Sequence, residues 1–397
     1  MVLSTPHAPA SGRTWLTAGD CDLESFRRLV ERSTDPDSYP YASAIEQNVL
    51  IYDGEALASV TTDPVQRREV QAELVAALTE GPGVVVFKGA FADTDVVDRA
   101  TDVFAAIIGE QHTAGIAGGD HFGKPGANDR VWNAAEKLAL RAPRVFVDYY
   151  ANDVIALVTQ AWLGPAYQVT SQVNVVNPGG AAQTAHRDYH LGFMSDEQAS
   201  HYPAHVHRLS PALTLQGAVA HSDMPLESGP TLYLPYSHTY EPGYLAYRRP
   251  ELGDYFAEHR VQLPLTKGDA AFFNPAVFHG AGHNRSADVK RMANLLQMSS
   301  AFGRAMESVD RTTMSAAIYP ELVAARSAGL SPQAVHNVVA ASAEGYAFPT
   351  NLDRDQPVDG LAPRSQAEIV VQALADDWPA EALVRELAAL AIRRQSD

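Results

Sequence analysis

The chain of 397 residues predicts an α+β fold, a β sandwich or barrel flanked by helical segments at both ends. Three observations predict it. From Tyr167 to about Phe302, β-branched and aromatic residues alternate with polar ones, and Gly, Pro, Asn and Asp mark the breaks. Upstream of that block, apolar residues recur at helical spacing. Beyond Ser308 the helical spacing returns. Many short strands in one block imply a sheet that packs on another or closes on itself.

Residues 1–64 read as an N-terminal extension, turn-rich at Asp35-Pro36-Asp37, with one short helix around Leu23 to Glu31. From Val65 to Thr79, the residues Val70, Leu74 and Leu78 share a helical face, and Gly81-Pro82-Gly83 stops the helix. Val84-Val85-Val86-Phe87 is a short buried strand. Asp93 and Thr94 are N-cap candidates for a helix presenting Val96, Val97, Ala100, Val103, Phe104, Ile107 and Ile108 to one side. Gly115 to Asn128 reads as a long glycine-rich loop of the kind that serves as a lid. A further helix ends at Gly164-Pro165. The strands are then carried by YQVTSQVNVVNP, RLSPALTLQGAVAH, GPTLYLP, DAAFFNP and RMANLLQMSS. In the tail, Ser331-Pro332 is an N-cap with proline at the first helical position, and Ser365 to Glu368 is a capping box. The organisation is a core domain with flanking helices over residues 65–307 and a C-terminal helical extension over 308–397 packed on it.

Composition narrows the function. Apolar residues make up 46% and charged residues 19%, enough for a sizeable core. A net charge of −17 argues against a nucleic-acid partner, which needs a basic footprint. The single cysteine, Cys21, excludes an intrachain disulfide and a cysteine metal cluster, so any metal here takes nitrogen and oxygen ligands. The first residues, MVLSTPHAPASGRTW, lack the basic start and apolar core of a signal peptide. No apolar run approaches the ~18 residues that span a bilayer. The expectation is a cytoplasmic protein with no membrane partner.

One short stretch concentrates chemistry: QTAHRDYHLGF, Gln183 to Phe193. On a strand, residues i and i+2 point to the same side, roughly 6–7 Å apart, so His186 and Asp188 present an imidazole and a carboxylate together. A second histidine from another strand completes a face of two histidines and one carboxylate. That face leaves three octahedral positions open, as in non-haem Fe(II) oxygenases. The same residues also suit a zinc hydrolase. His-x-Asp spacing alone is weak, since His221-Ser222-Asp223 repeats it. There a strand-end histidine precedes a turn-forming aspartate. The third ligand candidate is His279, followed by the small residues Gly280, Ala281 and Gly282, which let backbone and ligand approach closely. Arg291 opens the next strand, and its planar fork can clamp a carboxylate.

On these residues the chain resembles the phytanoyl-CoA dioxygenase family of Fe(II)/2-oxoglutarate oxygenases. GPGVVVFKGAF resembles the family's opening strand. TAHRDYH resembles its His-x-Asp-x-His motif, with the metal pair at His186 and Asp188. SGPTLYLPYSH resembles its glycine-rich strand ending in Pro-x-Ser-His, here Pro235 to His238. GDAAFFNPAVFHGAG resembles its last metal-ligand strand. The four stretches cover about residues 80 to 305 in the family's order. The resemblance implies a double-stranded β-helix, a jelly-roll core, with Fe(II) held by His186, Asp188 and His279. It implies 2-oxoglutarate as cosubstrate, O2 as oxidant, and a small-molecule substrate. The family's usual arginine position falls on Lys290, so Arg291 needs one extra residue in the turn, and Arg285 is a third candidate. The hydroxyl often found two places after the ligand histidine is replaced by Ala281. The intact Asp188 points to oxygenation and away from halogenation.

The resemblance also nominates Gln172 and Asn174, which share a face of SQVNVV, and Thr184, two places before His186, as contacts to 2-oxoglutarate. His190 is a candidate for contact near the iron. His238 and His283 read as structural. Lys124, Arg130 and Trp132 belong to the loop region that could close over substrate, and Tyr189 and Phe193 are candidates for the substrate wall. Arginine outnumbers lysine 25 to 5, a composition typical of GC-rich bacterial genomes, which points to natural-product tailoring. The terminal extensions could shape a substrate pocket or a homodimer interface. A jelly-roll protein that binds a ligand without turnover, and a metal-dependent hydrolase, are the competing functions.

Overall fold

The computed structural model describes residues 14–116, 127–357 and 360–396. Its larger sheet has eight strands. In chain order these are β1 (Ala44–Glu46), β2 (Val49–Asp53), β3 (Val84–Lys88), β4 (Asn128–Val131), β5 (Gln168–Val176), β6 (Thr214–Ala220), β9 (Ala270–Phe273) and β11 (Arg291–Ser299). They lie side by side as β1-β2-β3-β9-β6-β11-β5-β4. The smaller sheet runs β10-β7-β8, from β7 (Leu232–Leu234), β8 (Val261–Gln262) and β10 (Phe278–Gly280). An isolated antiparallel bridge between His186 and His279 adds a short fourth member beside β10. The set β5-β11-β6-β9 against His186-β10-β7-β8 is the double-stranded β-helix expected from the sequence, within an α+β fold.

Strand periodicity divides the larger sheet into two surfaces. Val169, Val173 and Val175 of β5, Leu215 and Val219 of β6, Ala270 and Phe272 of β9, and Met292, Leu296 and Met298 of β11 face the helices and join the main hydrophobic core. Their neighbours in sequence face the smaller sheet and line a cavity: Gln172, Asn174, Gln216, Ala218, Ala220, Ala271, Phe273, Arg291, Ala293, Leu295 and Gln297. The pairing keeps the register: Leu295 lies opposite Gln172 and Ala218, and Gln297 opposite Thr170 and Gln216. β3 reads as an unbroken apolar run because it is buried on both sides, with Val85 and Phe87 against helices and Val84 and Val86 against the second cluster.

Helices cover the outer surface. Pro64–Thr79 is started by Asp63, whose carboxylate accepts from Val65 N and Gln66 N. Asp95–Thr113 presents Val97, Ala100, Phe104 and Ile107 inward. Ser331 caps Pro332–Ser342, and Ser365 with Glu368 forms the expected capping box of Gln366–Ala375. Ile318, Leu322, Ile369 and Leu383 from the C-terminal segment pack into the main core with Phe104 and Phe146.

Some sequence expectations are corrected. The block from Tyr167 to Phe302 is not purely strands and turns. It contains Asp196–Ser200, Ala204–Ala212, Gly243–Ala246 and Pro250–His259 as helices. The stretch RLSPALTLQGAVAH divides, its first residues ending a helix and Thr214 opening β6. Those helices are too short for a clear period, but their starts carry local signals. Ser195 and Gln198 form a capping box, and Pro250 occupies a first helical position. The N-terminal segment holds strands that its composition does not announce. β1 and β2 form a hairpin whose turn residues Gln47 and Asn48 both have positive φ (52° and 69°), and β2 runs parallel to β3. His186 and Asp188 lie on an irregular segment held by a single bridge, not on a regular strand.

Leu296 is fully buried on the helix-facing side of β11. Leu296→Ala is expected to destabilise the protein by about 2–5 kcal/mol in urea unfolding, while the cavity on the opposite side keeps its capacity for metal.

Candidate metal centre

Two backbone hydrogen bonds fix the heart of the site. His186 N donates to His279 O at 3.0 Å, and His279 N donates to His186 O at 3.2 Å. Asp188 N donates to Pro275 O at 3.1 Å, so the segment continues alongside the turn that leads into β10. The three side chains then converge, with one ligand atom from each lying within 4.8 Å of the others. Asp188 Oδ1 is 3.7 Å from His186 Nε2, and Asp188 Oδ2 is 3.4 Å from His279 Nε2.

The imidazoles are oriented by their far nitrogens. His186 Nδ1 lies 3.0 Å from Thr184 O, and His279 Nδ1 lies 2.9 Å from Val277 O. A carbonyl only accepts, so each Nδ1 carries a proton, and each Nε2 faces Asp188. Burial alone would push the Asp188 carboxyl up. The hydrogen bond from His279, the charges of both histidines and the Gln216 amide outweigh it and hold the carboxyl well below the usual range. Gln216 Nε2 donates to Asp188 Oδ2 at 2.5 Å. With each Nε2 deprotonated on binding a cation, two imidazoles and one carboxylate give a ligand face with a single negative charge, suited to a divalent cation of intermediate hardness. The donor set fits iron(II).

The cavity in front of this face has a volume of about 160 Å³. That is close to the ~150 Å³ that admits one benzene-sized molecule, so the enclosed part holds a cosubstrate-sized ligand. Arg291 lines the same cavity. It is 7% exposed, and its Nη1 donates to Ser228 O at 3.2 Å and Gly282 O at 3.4 Å. Burial pushes the guanidinium down to about 10, and among the described residues no carboxylate pairs with it. Lys290 and Arg285 are exposed and contribute nothing to the cavity wall.

The remaining candidates separate. Gln172 and Asn174 both line the cavity; Gln172 donates to Gln297 Oε1 at 3.4 Å, and Asn174 accepts from Asn128 at 3.3 Å. Thr184 has an exposed side chain outside the cavity wall, and what it offers the site is its carbonyl. Arg130 stacks over Trp132 at 4.8 Å, and both line the cavity with the exposed Phe193 and Met306. Tyr189 is buried outside the wall, and His190 Nδ1 contacts Ser210 Oγ at 3.2 Å. His238 is held by Thr79 O, and His283 is exposed. Lys124 lies outside the described residues. The second His-x-Asp pair builds no site. His221 Nδ1 meets Thr101 Oγ1 at 2.8 Å and Nε2 meets Tyr149 OH at 2.9 Å, and burial pushes the ring down to about 3. Asp223 accepts from Lys267 N.

Sequence reasoning missed Gln216, Gln297 and Tyr233, all on the cavity wall. The signal was clearest for Gln216, which interrupts the apolar run of LTLQGAVA in step with small, cavity-facing neighbours, while Gln297 follows Leu295 at strand spacing in RMANLLQMSS.

A family model described as phytanoyl-CoA dioxygenase (PhyH) matches residues 65–293, more than half of the chain. No curated protein matches. Among solved structures, the non-heme alpha ketoglutarate dependent epimerase SnoN from nogalamycin biosynthesis is 20% identical, with 60% of this chain and 82% of that one covered at a TM-score of 0.42. AviO1 from Streptomyces viridochromogenes Tue57 is 17% identical over 59% and 97% at 0.43. The carbocyclase SnoK, also from nogalamycin biosynthesis, is 21% identical over 59% and 86% at 0.42. Likenesses this distant carry no argument about function.

The two His-x-Asp pairs are separable by experiment. His221→Ala should cost about 1–3 kcal/mol of stability by stranding Tyr149 and Thr101 and still bind one equivalent of Fe(II) in anaerobic calorimetry. Asp188→Ala should lose that binding.

Proposed function

The chain belongs to the phytanoyl-CoA dioxygenase (PhyH) family, and we propose that His186, Asp188 and His279 hold Fe(II) while Arg291 grips the far carboxylate of 2-oxoglutarate. The protein is an oxygenase-type enzyme dependent on Fe(II) and 2-oxoglutarate, and its substrate is a small molecule. One observation carries the assignment of the cosubstrate. A buried guanidinium without a carboxylate partner among the described residues shares its cavity with the ligand face. Leaving such a charge uncompensated is costly, and a bound dianion would relieve the cost. A zinc hydrolase gives Arg291 no comparable task.

When bound, iron with 2-oxoglutarate and O2 supplies the oxidising power, and 2-oxoglutarate leaves as succinate and carbon dioxide. The chain's own residues position the reactants. His186 and His279 set Nδ1 against backbone carbonyls and turn Nε2 toward the ligand face. Gln216 fixes the rotamer of Asp188. Gln172 and Asn174 offer amides toward the cosubstrate, and Val86, Leu263, Leu265 and Phe273 exclude water from its pocket. Trp132, Phe193 and Met306 form an apolar mouth for substrate. Natural-product tailoring is the finer reading, supported by the arginine-rich, lysine-poor composition.

Anaerobic addition of Fe(II) and 2-oxoglutarate to the apo-protein should give a weak visible charge-transfer band that needs both additions. A normally folded protein without the band would move the zinc and binding-module readings ahead. His186→Ala and Asp188→Ala should each abolish turnover, read as succinate release, with the fold intact by circular dichroism. Arg291→Ala should raise the 2-oxoglutarate concentration required by roughly 10–100-fold, the size of a lost charged hydrogen bond. Lys290→Ala should leave it unchanged.

A further inference from the structure

Between the two ligand candidates His186 and Asp188 stands an arginine that faces the other way. Arg187 is 2% exposed, and its Nη2 donates to Ser237 O at 2.7 Å and Tyr240 O at 3.0 Å. The guanidinium lies 5.0 Å from the Tyr244 ring and 5.2 Å from the Phe278 ring. Its Nε is buried without a hydrogen-bond partner, and among the described residues no carboxylate neutralises it. The fold keeps space for it. A Cβ on Gly243 would collide with the guanidinium, and a Cβ on Gly192 would collide with the Arg187 carbonyl. A buried cation without a counter-ion is a poor choice for stability, and an apolar side chain would fill that space at lower cost.

The partner of Arg187 explains its place. Ser237 is fully buried, donates to Leu234 O at 2.6 Å, and accepts from Phe278 N at 2.7 Å. Phe278 is the residue before His279. The chain Arg187–Ser237–Phe278 therefore links the segment of His186 and Asp188 to the strand of His279, on the side opposite the cavity. It runs beside the backbone bridge between the two histidines and adds a second, side-chain attachment between the same segments.

We propose that Arg187 and Ser237 are positioning residues, which set the spacing of the three ligand side chains by strapping their two segments together from behind. The inference rests on the assignment of His186, Asp188 and His279 as the metal ligands. Neither residue touches the metal or the substrate. Outer groups that orient ligands typically change metal affinity 10- to 100-fold when removed.

The test uses the full chain, stripped of metal, titrated anaerobically with Co(II) and followed by its visible d–d absorption, with thermal unfolding in parallel. Arg187→Met keeps the volume and loses both hydrogen bonds. It should bind Co(II) 10- to 100-fold more weakly, with a shifted band, at a temperature where it is fully folded. Arg187→Lys should recover part of the affinity, because an ammonium can still donate to one carbonyl. Ser237→Ala, which removes the hydroxyl and with it the links to Phe278 N and Leu234 O while leaving the carbonyl that Arg187 binds, should shift the band in the same direction and serves if the arginine variants fail to fold. Wild-type affinity and an unshifted band in Arg187→Met, or in Ser237→Ala where the arginine variants do not fold, would overturn the proposal and leave the strap a matter of stability alone. Absence of Co(II) binding by the folded wild type would instead remove the metal assignment itself, and the strap with it.

Discussion

The site depends on the reciprocal pair of backbone hydrogen bonds between His186 and His279. Two segments far apart in sequence meet there as one residue pair of a sheet, and the pairing fixes which way the side chains from His186 to Asp188 point. Alternation about the bridge sends His186 and Asp188 into the cavity and Arg187 into the aromatic cluster of Tyr244 and Phe278. The backbone carbonyls of Thr184 and Val277, each two residues before a histidine, become the acceptors that set the tautomers. Backbone geometry thus supplies much of the orientation that a ligand set needs, and side chains such as Gln216 complete it.

How much of this was legible in the sequence depended on the kind of signal. His186, Asp188 and His279 were legible as candidates because motif order and spacing survive without knowledge of the loops between them. Arg291 was preferred over Lys290 and Arg285 on the chemistry of a strand-borne fork, and its burial against their exposure comes from the register of β11. Gln172 and Asn174 were readable from period two. Thr184 was not, because an irregular segment breaks the alternation that would have placed its side chain. Gln216 stood in plain view as a polar residue in an apolar strand, yet only pairing across β6, β9 and β11 reveals what it faces. The short helices between β5 and β9 escaped notice because fewer than three turns carry too little period to compete with nearby β-branched residues. The β1–β2 hairpin escaped because glutamine seldom adopts the positive φ that its turn requires.

The histidine pairs at 186 and 221 show what separates a site from a motif. Both are His-x-Asp. At His221 both ring nitrogens are occupied by hydroxyls in the helix-facing core, so no lone pair remains for a ligand. At His186 one nitrogen meets a carbonyl and the other faces a carboxylate. The residue types are the same, and the sheet surface on which each falls decides between packing and chemistry.

That division of the larger sheet has a consequence for how such a protein can diversify. Along β5, β6 and β11, alternate positions belong to separate physical problems: one set packs helices, the other shapes a cavity. Changes at Ala218, Ala293 or Leu295 alter the volume and polarity seen by a small molecule while the helix-facing valines, leucines and methionines stay as they are. A lineage can therefore explore new substrates by single substitutions that draw little on its folding stability, and a laboratory library confined to those positions would search chemistry with few unfolded members.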